Sequence, residues 1–359
     1  MLQLKTTKLQ ELAAKAFKGV GNDRNKPITE LIALNVENGL FTLITTDYDN
    51  FLYVSETVDC DDFYAVVEAN RFVKLVSRLT SEDVTLDIVD NCLEVRANGK
   101  WSIPMEIDHS TGKVVDYTNP LATFEADEKI GEITAQDIST IIRALKPALA
   151  TTVDIPEYVN YYFGETVLAT DTNIASCYGK NLVTTPILVS AAVLEMLSVY
   201  TGETPLEIFK TGNKLMFRGT KFNLFGYAMP GVDNFNVSAI NSYLESAYPS
   251  MCKIPKQTVL QALDRLSLFV SDFDEDIINV RFTDSGLIVS SKQSDSEETI
   301  EYIESDNLTD IDSSIYLFML VSQIKAQTGD TVDIYFGTDT SIKIVDSACD
   351  NTSVLCLIQ

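Results

Sequence analysis

Ile44-Thr45-Thr46-Asp47 returns as Leu168-Ala169-Thr170-Asp171, and in a third version as Val289-Ser290-Ser291-Lys292. Asp47, Asp171 and Lys292 are 124 and then 121 residues apart. A second landmark keeps the same pitch. The run from Phe72 to Leu79 precedes Asp83-Val84-Thr85-Leu86, Val193 to Leu197 precedes Thr204-Pro205-Leu206-Glu207, and Leu317 to Val321 precedes Thr331-Val332-Asp333-Ile334, with spacings of 121 and 127. A third landmark is a buried helix face. Leu9, Leu12, Ala13, Ala16 and Phe17 follow the i, i+3, i+4, i+7, i+8 rule. Ile138, Ile141, Ile142 and Leu145 repeat its first four positions and Leu149 extends the same face by a further turn, with Thr134 and Asp137 spaced as a capping box, and Val259, Leu263, Leu266 and Val270 give the third copy. Three unrelated landmarks on one pitch indicate a triplicated unit.

Outward from these landmarks the chain reads as α+β, with three repeated domains over 1–122, 123–248 and 249–359. Each is expected to hold two helices packed on antiparallel sheets of about eight strands. Runs such as Leu40 to Thr46 and Asn91 to Arg96 have the β-branched and aromatic content of strands, and Glu37-Asn38-Gly39 and Asp284-Ser285-Gly286 mark turns between them. The acid- and turn-rich segment 108–123 and the Ser/Asn-rich segment 236–250 are the expected boundaries. Six helices are expected, over 8–18, 69–79, 135–148, 191–200, 256–268 and 314–325.

Apolar residues are 45% of the 359, enough for real cores, so a net charge of −25 does not imply disorder. No apolar run approaches the ~20 residues of a spanning helix, and the N-terminus lacks the apolar core of a signal peptide. Six cysteines without a CxxC pair read as free thiols in a reducing cytoplasm. The expectation is a cytoplasmic protein with no membrane association, no metal and no cofactor.

The charge is unevenly placed. The six expected helices carry eleven basic and four acidic residues, a net +7 against −32 for the remainder. Arg71, Lys74 and Arg78, spaced i, i+3, i+7, fall opposite Phe72, Leu75, Val76 and Leu79. Lys15 and Lys18 lie away from the apolar stripe of the first helix. Helices lining a hole would present a mild positive field to duplex phosphates while an acidic exterior repels them, and such contacts carry no sequence information.

Enzymatic readings find little support. His109, the single histidine, lies in a turn-rich linker, which argues against Ser-His or Cys-His chemistry. There is no GxxxxGK or GxGxxG phosphate loop. Asp272, Asp274 and Asp276 begin like a calcium loop, but Ile277 replaces the required glycine and Thr283 the closing glutamate. A carboxylate-based hydrolase and a protein-binding scaffold that never encircles DNA are the alternative readings.

The chain resembles the bacterial replicative sliding clamps, the beta subunits of DNA polymerase III. The resemblance spans the full length and rests on Arg24-Asn25-Lys26-Pro27-Ile28, Thr45-Thr46-Asp47, Phe72 to Leu79 with Asp83 to Leu86, Ala169-Thr170-Asp171, and Val259 to Leu268. It implies a non-catalytic DNA clamp fold and a head-to-tail homodimeric ring. Its implied partners are duplex DNA, an ATP-driven clamp loader, DNA polymerase and other replication proteins bound through short peptides. It places Arg24 in a channel-facing loop, with Arg71, Lys74, Arg78, Lys15 and Lys18 as further channel candidates. At the dimer interface it implies Trp101 and Ile103 on an edge strand, opposed by Leu268 and Phe269. The family's peptide pocket maps to Phe163, Thr170, Thr172, Ile174 and Ala175, together with Tyr316, Thr340, Leu355 and Leu357, and more loosely to Pro249 and Ile254. Two departures bear on that pocket. Thr172-Asn173-Ile174-Ala175 stands where the family commonly has Gly-His-Arg-Leu, and Leu357-Ile358-Gln359 stands where it has a Met-Pro-rich tail ending in Arg-Leu.

Overall fold

The computed structural model describes residues 1–23, 25–117, 120–124, 128–270, 276–283, 286–293, 297–304, 311–338, 340–346 and 348–358. Eight helices lie among them: α1 (Thr6–Ala16), α2 (Ala69–Val76), α3 (Pro120–Thr123), α4 (Ala135–Leu145), α5 (Ala191–Leu197), α6 (Val237–Leu244), α7 (Lys256–Ser267) and α8 (Leu317–Ala326). Six match the expected helices. The segment 314–316 differs because it completes the strand Ile311–Tyr316, paired with residues 277–282. Helix α4 gives way to a 3-10 turn over Lys146–Ala148, where Pro147 cannot donate a helical hydrogen bond. Helices α3 and α6 occupy the two segments read as boundaries.

By contacts the chain forms two compact units, Met1–Ala135 with Ala192–Ala228, and Gln136–Ala191 with Met229–Gln359. Among the described residues, each unit contains one four-stranded and one eight-stranded antiparallel sheet. In the first unit the small sheet runs Leu2–Lys5, Asp83–Val89, Cys92–Arg96, Lys100–Pro104. Its large sheet continues from the strand Phe51–Thr57 straight into Phe222–Tyr227, with Phe51 opposite Phe225. In the second unit the strand Ile174–Tyr178 pairs in the same way with Asn351–Cys356, placing Ala175 opposite Val354. These two seams explain why the units cut through residues 123–248.

Strand faces toward the helices are largely apolar. Phe41, Leu43, Leu52, Ala65 and Val67 are fully buried, and so are Leu9, Ala16, Phe72 and Val76 from α1 and α2. Burying each large side chain contributes roughly 1.5–3 kcal/mol, so the sheets and helices hold one another in place. Gly19, just after α1, lies so close to Thr45 and Leu52 that a Cβ there would collide with both. That close approach seats the end of the helix on the sheet, where Thr45 Oγ1 donates to the Ala16 carbonyl at 2.7 Å.

The Thr-Asp landmark is a repeated turn, and its bonds are the same in both units. Thr46 Oγ1 donates to the Asn50 carbonyl (2.6 Å) and accepts from the Tyr48 N–H, while Asp47 accepts from the Asn50 N–H. Thr170, Thr172, Asp171 and Ile174 reproduce each contact. The third residue of each turn is left-handed, Tyr48 at φ 95 and Thr172 at φ 82.

Candidate functional site

The basic face belongs to the first unit. Helices α1 and α2 pack together, and Gln10 Nε2 donates to the carbonyls of Val76 and Leu79, both at 3.0 Å, satisfying the C-terminal end of α2. Glu68 caps the other end by accepting from the Arg71 N–H at 3.0 Å. With Phe72 and Val76 turned inward, Arg71, Lys74 and Arg78 are exposed, and so is Lys18. Arg71 Nε also lies 3.6 Å from the Glu68 carboxylate. Lys15 departs from expectation: its ammonium is held by Glu11 at 2.7 Å and by Thr201 at 2.9 Å. Arg24 lies outside the described residues.

The net +7 counted over six helices overstates what solvent meets. Lys8 is paired with Glu11 and Glu56. In the second unit, Arg265 makes a two-pronged pair with Glu301 at 2.8 and 2.6 Å. Arg143 donates to the Ala326 carbonyl, and Lys256 to the carbonyls of Lys325 and Gln327. Those two cations complete the C-terminal turn of α8, a use that composition cannot reveal.

Each small sheet has two edge strands, and one of them carries exposed or partly exposed aromatic side chains. In the first unit that edge is Lys100–Pro104. Trp101 is partly exposed, whereas Ile103, at 2% exposure, points into its own core and offers no surface. In the second unit the edge is Glu297–Glu304. Around it Leu268 (78% exposed), Phe269, Ile300 and Tyr302 (71%) are open to solvent. Ile300 and Tyr302 were not anticipated, although their alternation with Glu301 is the signal of a strand with one apolar side.

The second unit also holds a cleft of about 200 Å³ between α6 and the strands Val167–Thr170, Ile174–Tyr178 and Asn351–Cys356. Thr170, Thr172, Ile174 and Ala175 line it together. Leu355, Phe163 and Ile254 do not; each is fully buried. Strand parity explains Leu355, because Val354 and Cys356 on either side of it are the residues that line the cleft. Thr340 and Leu357 are joined outside the lining set by a 2.8 Å backbone bond, and Tyr316 and Pro249 are likewise not among the lining residues. Tyr158, Ala239, Ile240 and Tyr243 also line it, three of them on α6, whose Ser/Asn-rich sequence reads as a domain boundary.

Among the described residues, no charged side chain lines the cleft. Burial raises the Asp171 carboxyl above its usual range, and burial followed by the Asp171 charge raises the Cys356 thiol. The first unit shows why the cleft is open. There, Phe51 and Phe225 occupy the positions of Ala175 and Val354, and Phe124 packs edge-on against Phe225 with ring centroids 6.1 Å apart. Aromatic rings fill in one unit the space that alanine and valine leave in the other.

Comparison by sequence with protein-family models and with curated proteins finds no match. By structure, the chain is similar over its whole length to the DNA polymerase sliding clamp from Bacillus subtilis, with TM-score 0.82, 14% identity, and 98% of that chain covered. It is similar to the beta subunit of DNA polymerase from Streptococcus pyogenes, with TM-score 0.84, 13% identity and 99% coverage of that chain. A sliding clamp (DNA polymerase III subunit beta) from Bartonella birtlesii bound to griselimycin gives TM-score 0.85, 13% identity and 99% coverage of that chain. The α+β repeat, the two pairs of antiparallel sheets and the helix placement are thus those of one architecture, and the chain has the fold of the DNA polymerase III beta subunit sliding clamps.

Proposed function

We propose that the chain is a sliding DNA clamp, a non-catalytic processivity factor of the cytoplasm built from three domains over 1–122, 123–248 and 249–359. Two copies close head to tail into a ring, the Lys100–Pro104 edge with Trp101 of one copy meeting the Glu297–Glu304 edge, Leu268 and Phe269 of the other. Edge strands supply backbone pairing and the exposed apolar side chains supply burial. Arg71, Lys74, Arg78 and Lys18, with Arg24, face duplex phosphate without reading sequence. The cleft at Thr170–Ala175 takes an apolar anchor of a short peptide from polymerase, clamp loader or another replication protein. No cofactor or metal takes part.

The observation that carries this reading is the clamp fold reproduced from end to end of the chain. Its test is topological. The protein assembled on nicked circular DNA should stay bound in high salt and be lost when the circle is cut. Leu268→Ala with Phe269→Ala should sediment as a monomer and lose that retention. Equal retention on circles and lines would overturn the ring. A scaffold that does not encircle DNA is the second reading, favoured by the internal engagement of Lys15, Arg143, Lys256 and Arg265. The same comparison separates the two.

A further inference from the structure

A row of side chains crosses one face of each large sheet, and the two rows can be compared position by position. In the first unit, cross-strand partners run Phe51, Phe225, Met216, Phe209. All four belong to one apolar cluster. In the second unit the corresponding partners run Ala175, Val354, Lys343, Tyr335. A lysine therefore stands where the other unit has a buried methionine. Placing an ammonium in a partly buried row is unfavourable unless polar groups satisfy it. Burial indeed lowers the pKa of Lys343 below the usual lysine value.

Its partners are specific. Lys343 Nζ donates to the carbonyls of Leu244 and Ser246, both at 3.2 Å, at the C-terminal end of α6. The rings of Tyr248 and Tyr335 flank it at 4.8 and 5.5 Å, a favourable seat for a cation. Helix α6 needs such help. It has eight residues, too few to be stable alone, and Ile240 is its one buried side chain. An ammonium at the helix C-terminus satisfies carbonyls left without partners and opposes the negative end of the dipole. Along the sheet, Lys343 is the direct neighbour of Val354 on the cleft floor. Ala239, Ile240 and Tyr243 of α6 form the cleft wall.

We infer that Lys343 is a positioning residue for the peptide cleft: its ammonium clamps the end of α6 to the cleft floor and so sets the spacing between wall and floor. The inference rests on the cleft being a peptide site. The test uses the full-length protein and a fluorescein-labelled hexapeptide, Gly-Ser-Leu-Ser-Leu-Phe, read by anisotropy. Lys343→Met installs the residue that the first unit already accommodates at this position. It should leave the melting temperature unchanged or raised while weakening the peptide about tenfold, the scale of one charge-assisted contact. Lys343→Arg, which keeps the donors, should restore most of the affinity. Hydrogen exchange should quicken in Lys343→Met at the amides of Ile240 to Leu244 and not in the strands. Unchanged affinity in Lys343→Met, or loss in the arginine and methionine variants alike, overturns the inference. Ala175→Phe, which fills the cleft as Phe51 does, is the separate control. If the peptide binds that variant equally well, the cleft reading fails rather than the role of Lys343.

Discussion

Glu94 sits on the strand Cys92–Arg96 with its side chain almost wholly buried, yet it is ionised, because Lys100 and Arg96 both bond to it. The Lys100 contact is the largest influence holding its carboxyl below the usual range, and burial opposes it. A carboxylate whose folded pKa is depressed contributes stability that is present above the unfolded value and is lost as the pH falls through the folded one. Glu94→Gln should therefore lower the melting temperature at neutral pH, and the gap to the parent should close in acid below the ordinary carboxylate range. Thermal melts across that range check this; a gap that stays constant with pH would show that the pair does not act through charge. Composition flagged none of this, because an acid in a strand reads as a solvated residue until its two basic neighbours are placed around it. The burial of Ile103 is hidden from the sequence for a related reason. Sequence placed it on the edge strand with Trp101, but not how far each side chain reaches past the rim of the sheet.

The elements that could be read from sequence are those whose apolar spacing is helical and whose far side is polar. Helices α1, α2, α4 and α7 met both conditions. Helix α6 did not: Val237-Ser238-Ala239-Ile240-Asn241-Ser242-Tyr243-Leu244 is short, rich in Ser and Asn, and looks like a linker. Its order comes from Asn236 accepting the Ala239 N–H at its start, from packing against Phe235 and Tyr162, and from Lys343 at its end. Part of the cleft is invisible in the sequence for that reason, while Thr170, Thr172, Ile174 and Ala175 are reached through the resemblance to the clamp family rather than through composition or spacing. Elements also depend on one another through single polar side chains. Gln10 on α1 donates to two carbonyls at the end of α2, of which that of Val76 also accepts from the Leu79 N–H. Gln10→Ala should cost about 1–2 kcal/mol in urea unfolding, without changing the slope against denaturant, since the surface exposed on unfolding is the same. An effect under about 0.5 kcal/mol, the range of ordinary surface substitutions, would mean that water replaces the glutamine.

At the scale of the whole molecule, an acidic protein with 52 carboxylates against 27 basic groups can engage DNA only if its charges are segregated. Among the described residues, many cations on the helices are used internally, at Glu11, Glu56 and Glu301 and at the carbonyls ending α8. Arg71, Lys74 and Arg78 form the cluster of exposed cations on one helical face, at α2 and the turn that follows it. Each phosphate neutralised releases condensed counterions, so the logarithm of the binding constant falls against the logarithm of salt with a slope of about −0.9 per contact. Replacing all three by alanine should make that slope shallower by about 3 if each one meets a phosphate. The measurement is equilibrium binding to a short linear duplex, onto which a ring can thread from the ends. The variant should bind more weakly at low salt and converge with the parent as salt rises, because the lost interaction is itself screened. The loss should also be the same on duplexes of different sequence, since phosphate contacts do not distinguish bases. An unchanged slope would place these three cations away from the DNA and shift the burden of attraction to other residues.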